Sequence, residues 1–198
     1  TTSDWSATAE GTAANSTCTL NSTVFPASGT SFIWAPPTPI NASYTVGTGG
    51  DFTTISAVIN FLNTNQPLYG IPEGGTVFNI LAGEVFSEDP PPPAITAIGG
   101  SLRPIVFQKS GAGNNPLIKV FGTTATNDAA FRLQGCDWLS FHDIAISNAD
   151  ASTALEHGFY LEPIAYNGCR HISINGCDVT LDRSNPNTRG IYSPALST

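Results

Sequence analysis

The chain has 198 residues, a formal net charge of -8 with only seven Lys and Arg, and charged residues at 11%. Nucleic acids and anionic membrane surfaces select basic patches, so this balance argues against both as partners. No apolar run reaches the length of a membrane span, so no membrane insertion is expected, while an apolar fraction of 40% is enough to fill a core.

Glycine (19 residues) and proline (15) break helices, and the abundant Ser, Thr and Asn compete for backbone hydrogen bonds. Such material suits short strands joined by tight turns. The chain begins at Thr1 without Met and without a basic-then-apolar leader. That is expected of a mature secreted chain or of a piece cut from a longer one. Low charge, no Met and a Thr/Ser/Asn-rich composition point to an extracellular or cell-surface setting.

Residues 1–43 form an extended Thr/Ser/Pro-rich segment with two apolar knots, Cys18 to Phe25 and Phe32 to Trp34, ending in the stiff connector Pro36-Pro37-Thr38-Pro39. Asn15, Asn21 and Asn41 open glycosylation sequons, which matter only in a eukaryotic source. Residues 44–198 are regular. Tyr44–Val46 reads as a strand and Gly47–Gly50 as a turn. Thr53 is the expected N-cap of a short helix over 53–63, whose Ile55, Val58, Ile59 and Leu62 fall on one face. Strand-like runs follow at Thr76–Leu81, Pro104–Gln108 and Leu117–Phe121. Pro90 to Pro93 has no backbone donors, so it is expected outside any sheet as a projecting loop.

The most informative pattern lies further on. Gly135-Cys136-Asp137-Trp138-Leu139-Ser140-Phe141-His142-Asp143-Ile144-Ala145-Ile146 superimposes without a gap on Gly168-Cys169-Arg170-His171-Ile172-Ser173-Ile174-Asn175-Gly176-Cys177-Asp178-Val179. Leu139, Phe141, Ile144 and Ile146 match Ile172, Ile174, Cys177 and Val179, with polar residues between them. Alternation with one break is a half-buried strand that bends and continues, and its recurrence means stacked units. Phe131-Arg132-Leu133, Phe159-Tyr160-Leu161 and Ile191-Tyr192 repeat in the same way. The fold class expected is therefore all-β, a solenoid of stacked coils.

At Tyr44-Thr45-Val46-Gly47-Thr48-Gly49-Gly50-Asp51-Phe52-Thr53-Thr54-Ile55, and again at Val77-Phe78-Asn79-Ile80-Leu81-Ala82-Gly83, the chain resembles the opening of a right-handed parallel β-helix with a short N-terminal capping helix. It is similar to the β-helix modules of large secreted, adhesin-like surface proteins of Bacteroidota; Ile105-Val106-Phe107-Gln108-Lys109-Ser110 fits a third strand of that pattern. The resemblance covers roughly Tyr44 to Leu181 and implies an adhesive or structural role. A more distant similarity joins it to the pectin methylesterase and pectate lyase-like superfamily. There Gly83-Glu84-Val85-Phe86-Ser87-Glu88 stands where the esterases carry a Gly-x-Tyr-x-Glu motif, displaced by one residue and lacking the Tyr. Their paired-Asp catalytic segments have no counterpart up to Thr198. Without two positioned carboxylates the general acid and the nucleophile are missing, so no catalytic residues are assigned.

Other templates are absent as well. There is no dinucleotide fingerprint, nucleophile elbow, P-loop or His-Glu-x-x-His, and no Cys-x-x-Cys, so neither a cofactor nor a metal site is expected. On the repeat, His142 aligns with Asn175 and Trp138 with His171, on positions that alternate away from the core. This strip could stack and hydrogen-bond a sugar; an ordinary solvent face explains the same residues. Cys136 and Cys169 hold equivalent positions in neighbouring coils, within disulfide range. Parallel side chains favour a buried ladder of reduced thiols over a bridge. Cys177 aligns with Ile144 and reads as core, and Cys18 has no evident partner.

Two readings stay open: a non-catalytic extracellular structural or adhesive module, and a carbohydrate-binding or carbohydrate-active domain on the same fold. They differ in whether Glu84, Glu88, Asp89, Asp143 and Asp178 converge in a groove. The last repeat stops one strand into a new coil, near Leu196. This predicts either continuation in a longer chain or end-on self-association, with residues 1–43 as the docking segment and filaments as the result.

Overall fold

The computed structural model describes residues 19–20, 23–24, 39–123, 128–149, 154–164 and 167–194, divided between two compact units, Thr1–Pro36 and Pro37–Thr198. In the first unit, β1 (Thr19–Leu20) pairs antiparallel with β2 (Thr23–Val24). Cys18, Asn15 and Asn21 lie outside the described residues.

The second unit begins with β3 (Ser43–Val46), helix α1 (Ile55–Tyr69), β4 (Thr76–Leu81), β5 (Val85–Glu88), β6 (Ile105–Ser110) and β7 (Leu117–Val120). It continues with β8 (Ala129–Gln134), β9 (Leu139–His142), β10 (Ala145–Asn148), β11 (His157–Glu162), β12 (Ser173–Asn175), β13 (Asp178–Thr180) and β14 (Arg189–Tyr192). Three wholly parallel sheets result, ordered β12-β9-β6-β4-β3, β13-β10-β7-β5 and β14-β11-β8. Successive coils add a strand to each sheet in turn, so the unit is a parallel β-solenoid.

Register follows the internal repeat. Ile174 pairs with Phe141, and Val179 with Ile146. Leu139, Phe141, Ile144 and Ile146 are at most 1% exposed, while their counterparts Ile172, Ile174, Cys177 and Val179 are half-buried against the same core. Parallel stacking puts like positions on top of one another, and in the core these positions are aromatic. Tyr44, Phe78, Phe107 and Phe141 form one ladder, with ring centroids 5.4, 5.0 and 5.2 Å apart and planes within 27° of parallel. Phe131 and Phe159 stack at 5.4 Å in a neighbouring ladder, and Phe131 reaches Phe141 at 4.7 Å. Burying each Phe side chain contributes about 1.5–3 kcal/mol, and offset stacking adds to that.

Helix α1 buries Ile55, Val58, Ile59 and Leu62, as the periodicity predicts. Its bounds differ from expectation. Thr54, not Thr53, is the N-cap, its hydroxyl accepting from the Ala57 amide at 3.0 Å. The helix runs on to Tyr69 instead of ending at 63. The extension buries Asn65, whose side chain donates to the Phe61 carbonyl, and carries the helix through Pro67, which has no N–H to give the Asn63 carbonyl. Strand β5 was not legible as a strand, since its pattern is only four residues long. The proline run does lie outside the sheets, and it projects only at its start: Pro90 is exposed, Pro91 and Pro93 are half-buried and Pro92 is buried.

The coil corners carry their own signature. Trp138 and His171, equivalent in the repeat, both have left-handed backbones (φ 58° and 55°). Asp143 and Gly176, also equivalent, have φ of 56° and 64°. At Gly176 a side chain would meet Asp143 Oδ1, which would have to turn away, so glycine suits this corner on both counts.

Candidate functional site

On the sheet containing β9 and β12, the outward positions form a polar ladder of Thr45, Asn79, Gln108, His142 and Asn175. Gln108 Nε2 donates to Asn79 Oδ1 at 3.0 Å, and Asn79 Nδ2 donates to Ser43 Oγ at 2.8 Å. At the corner that opens β9 and β12, the rings of Trp138 and His171 stack with centroids 3.9 Å apart and planes 17° from parallel. The structure therefore brings Trp138 onto His171 and sets His142 beside Asn175. His171 is exposed and covers one face of the indole, so the imidazole is the outer surface of this stack.

The candidate carboxylates do not gather into one centre. Glu88 is 3% exposed and turned onto the start of α1, accepting from the Ile55 amide (2.7 Å), the Ser56 amide (3.4 Å) and Ser56 Oγ (2.5 Å). A carboxylate there offsets the unpaired amides and the positive end of the helix dipole. Glu84 accepts from the Thr48 amide and hydroxyl at 3.2 and 3.3 Å. Asp89 and Asp143 are exposed. Two pairs share a concavity: Glu84 and Asp178 line a groove of about 410 Å³ with Asn114, Asn115 and Ala145, and Glu88 and Asp89 line another of about 470 Å³, where Glu88 is already bonded to the start of α1.

The sequence reading missed a second cluster, on the outside of the β14-β11-β8 sheet. Arg132 makes two parallel 2.7 Å bonds to Glu162, from Nε and Nη2, and Gln134 Nε2 adds a third at 3.1 Å. The pairing holds the Arg132 guanidinium above its ordinary value, the Glu162 hydrogen bond being the main cause. Tyr160 stacks on Tyr192 at 5.4 Å and 12°, and the Arg189 guanidinium lies 5.0 Å from the Tyr192 centroid. His157, 1% exposed, packs against both rings at 5.4 and 4.8 Å. The signal was present: Arg132, Tyr160 and Tyr192 are the second residues of the repeated pairs Phe-Arg, Phe-Tyr and Ile-Tyr, hence one outward ladder.

Burial is the main cause that lowers the His157 pKa, assisted by Arg189 and opposed by Glu156. A histidine with a depressed folded pKa is neutral when folded and takes up its proton more readily when unfolded. Stability is therefore full above the unfolded value of about 6.5 and falls as the pH drops below it. We expect thermal midpoints to decline from pH 7 toward 5.5, and His157→Phe to flatten that decline. An unchanged slope in the variant would assign the acid sensitivity elsewhere.

Cys136, Cys169 and Cys177 carry free thiols. Cys136 is fully buried and donates to the Ile95 carbonyl at 2.8 Å; burial pushes its pKa up to about 12. Burial raises Cys169 and Cys177 as well. Thiols held protonated in this way are poor nucleophiles and poor metal ligands. Among the described residues no group of three or more His, Cys, Asp or Glu is placed to hold a metal ion, and no helix is long and apolar enough to cross a membrane. No family model matches the chain, and no curated protein or solved structure matches it either.

Proposed function

We propose that this chain is a non-catalytic, extracellular β-solenoid module with a structural or adhesive role. One observation supports this above all: the side chains best suited to chemistry are engaged in ties between neighbouring coils. Arg132 is bound to Glu162, Trp138 is stacked on His171, Tyr160 on Tyr192, and Gln108 is bonded to Asn79. Glu88 serves the helix start. A catalytic centre needs groups aimed at a shared space, and these are aimed at one another. The low charge, the absence of Met and the resemblance to surface modules of Bacteroidota support the extracellular setting. The half-buried rung of Ile172, Ile174 and Val179 suits the end-on addition of a further coil, from this chain or another.

A second reading has its own support. The exposed imidazole of His171 beside the His142–Asn175 pair is a stacking surface flanked by hydrogen-bonding groups, as glycan recognition requires. One experiment separates the two. Purified protein incubated with methylated pectin and with polyuronide should release neither methanol nor unsaturated product above a boiled control. Retention on the insoluble polymer that disappears in His171→Ala would support glycan binding. Product formation would overturn both non-catalytic readings and direct attention to Glu84 and Asp178.

A further inference from the structure

Lys109 stands where the fold calls for an apolar residue. Its register position is shared with Val46 and Ile80, both fully buried. Lys109 itself is half-buried, and its amine reaches across the β6–β7 corner, donating to Asn115 Oδ1 at 3.1 Å and to the Gly113 carbonyl at 3.4 Å. The other end of the same carboxamide is held as well. Asn115 Nδ2 donates to Asp178 Oδ2 and to the Gly176 carbonyl, both at 3.2 Å. Asp178 lies two coils away along the Leu117–Ala145–Asp178 ladder, and the small Ala145 leaves room for the contact.

We propose that Lys109 and Asn115 are the two halves of an intramolecular isopeptide bond whose formation Asp178 assists. The amine, having lost its ammonium proton, attacks Cγ of Asn115. The new Nζ–Cγ bond forms, the Cγ–Nδ2 bond breaks, and Nδ2 departs as ammonia. Asp178, the acceptor of the Nδ2 hydrogen bond, takes up the proton released from Nζ and passes it to the leaving nitrogen, ending as the carboxylate it began as. Lysine ammonium plus carboxamide give a secondary amide plus ammonium, so atoms and charge balance without an oxidant or any other co-reactant. The geometry supplies what this reaction lacks in solution, namely an amine and a leaving group held at the two ends of one carboxamide.

Asn115 is also protected from the ordinary competing reaction. An asparagine side chain is usually attacked by the backbone nitrogen of the next residue, but that residue is Pro116, whose nitrogen carries no hydrogen. Proline also restricts Asn115 to an extended backbone, which favours a fixed side-chain direction. The product would clamp the end of β6 to the start of β7 and close the corner between them covalently.

Intact-mass measurement of the purified full chain, followed by peptide mapping, tests the proposal. The expected result is a species lighter than the sequence mass by one ammonia, with the Lys109 and Asn115 peptides joined. Asn167-Gly168 and Asn175-Gly176 can lose ammonia by cyclising on the backbone, so mapping is essential. Lys109→Arg preserves the hydrogen bond and the charge but should abolish the cross-link, and Asp178→Asn should leave it largely unformed. Full mass in the unaltered chain, or an ammonia loss that persists in Lys109→Arg, overturns the bond. An undiminished cross-link in Asp178→Asn overturns the role of Asp178.

Discussion

Replacing Phe141 with Ala should remove about 3–5 kcal/mol of unfolding free energy, the largest effect expected of any single core substitution here. Phe141 is fully buried, with three aromatic rings and one aliphatic side chain around it. Phe107 lies parallel to it at 5.2 Å, Phe131 at 4.7 Å and Phe159 at 5.2 Å, and Ile174 is its partner in the last described coil. Each surrounding residue is fixed in a parallel ladder, so the neighbours have little freedom to collapse into the space. The cavity contribution therefore adds to the lost transfer energy. Phe141→Leu keeps most of the volume and should cost under about 1.5 kcal/mol. Urea titration followed by tryptophan fluorescence measures both. A loss below about 1 kcal/mol for the alanine variant would mean that the ladder relaxes, against the packing described.

Glu88→Ala should be the most damaging change at a charged position, costing about 3 kcal/mol. The carboxylate is 3% exposed and makes three bonds to Ile55 and Ser56, where the first amides of α1 have no partners within the helix. Alanine would leave these donors buried and unpaired and would remove the charge that complements the helix dipole. Glu88→Gln should fall between, because its amide oxygen can serve Ile55 while its NH2 group opposes the Ser56 amide. Helical circular dichroism near 222 nm should fall with stability. A stable Glu88→Ala variant with unchanged helical signal would show that Thr54 alone holds the helix start.

The architecture was readable because two coils happen to have equal length. Cys136 to Ile146 and Cys169 to Val179 superimpose without a gap, and the observed pairing of Phe141 with Ile174 follows directly. Earlier coils differ in length, absorbing the difference in corners, so the ladder that joins Tyr44, Phe78 and Phe107 leaves no fixed period in the sequence. Helix α1 was visible in its apolar face. Its C-terminal bound was not, because Asn65 and Pro67 look like a stop and become tolerable only once Asn65 is buried against the Phe61 carbonyl.

The candidate surface was legible in part. Alignment of the repeats placed Trp138 over His171, and the rings stack. The partners of the carboxylates were not legible. That Glu88 meets Ile55, or that Asp178 meets Asn115, depends on elements far apart in the chain. Local periodicity carries no information about such contacts. Arg132 and Tyr160 were overlooked although the repeat aligned them, because an arginine replacing an aromatic residue looks like variation until the ladder shows them as neighbours.

Stacking like on like also makes the second unit behave as a column. Each rung rests on the one below and supports the one above, so cohesion is passed from neighbour to neighbour. Phe107, between Phe78 and Phe141, is gripped from both sides; Ile174 is gripped from one and is only half-buried. Order in such a column is lost by peeling. Among the described residues β12, β13 and β14 are the edge strands of their sheets, the top course of the masonry, and the aromatic middle is what the rest of the wall leans upon.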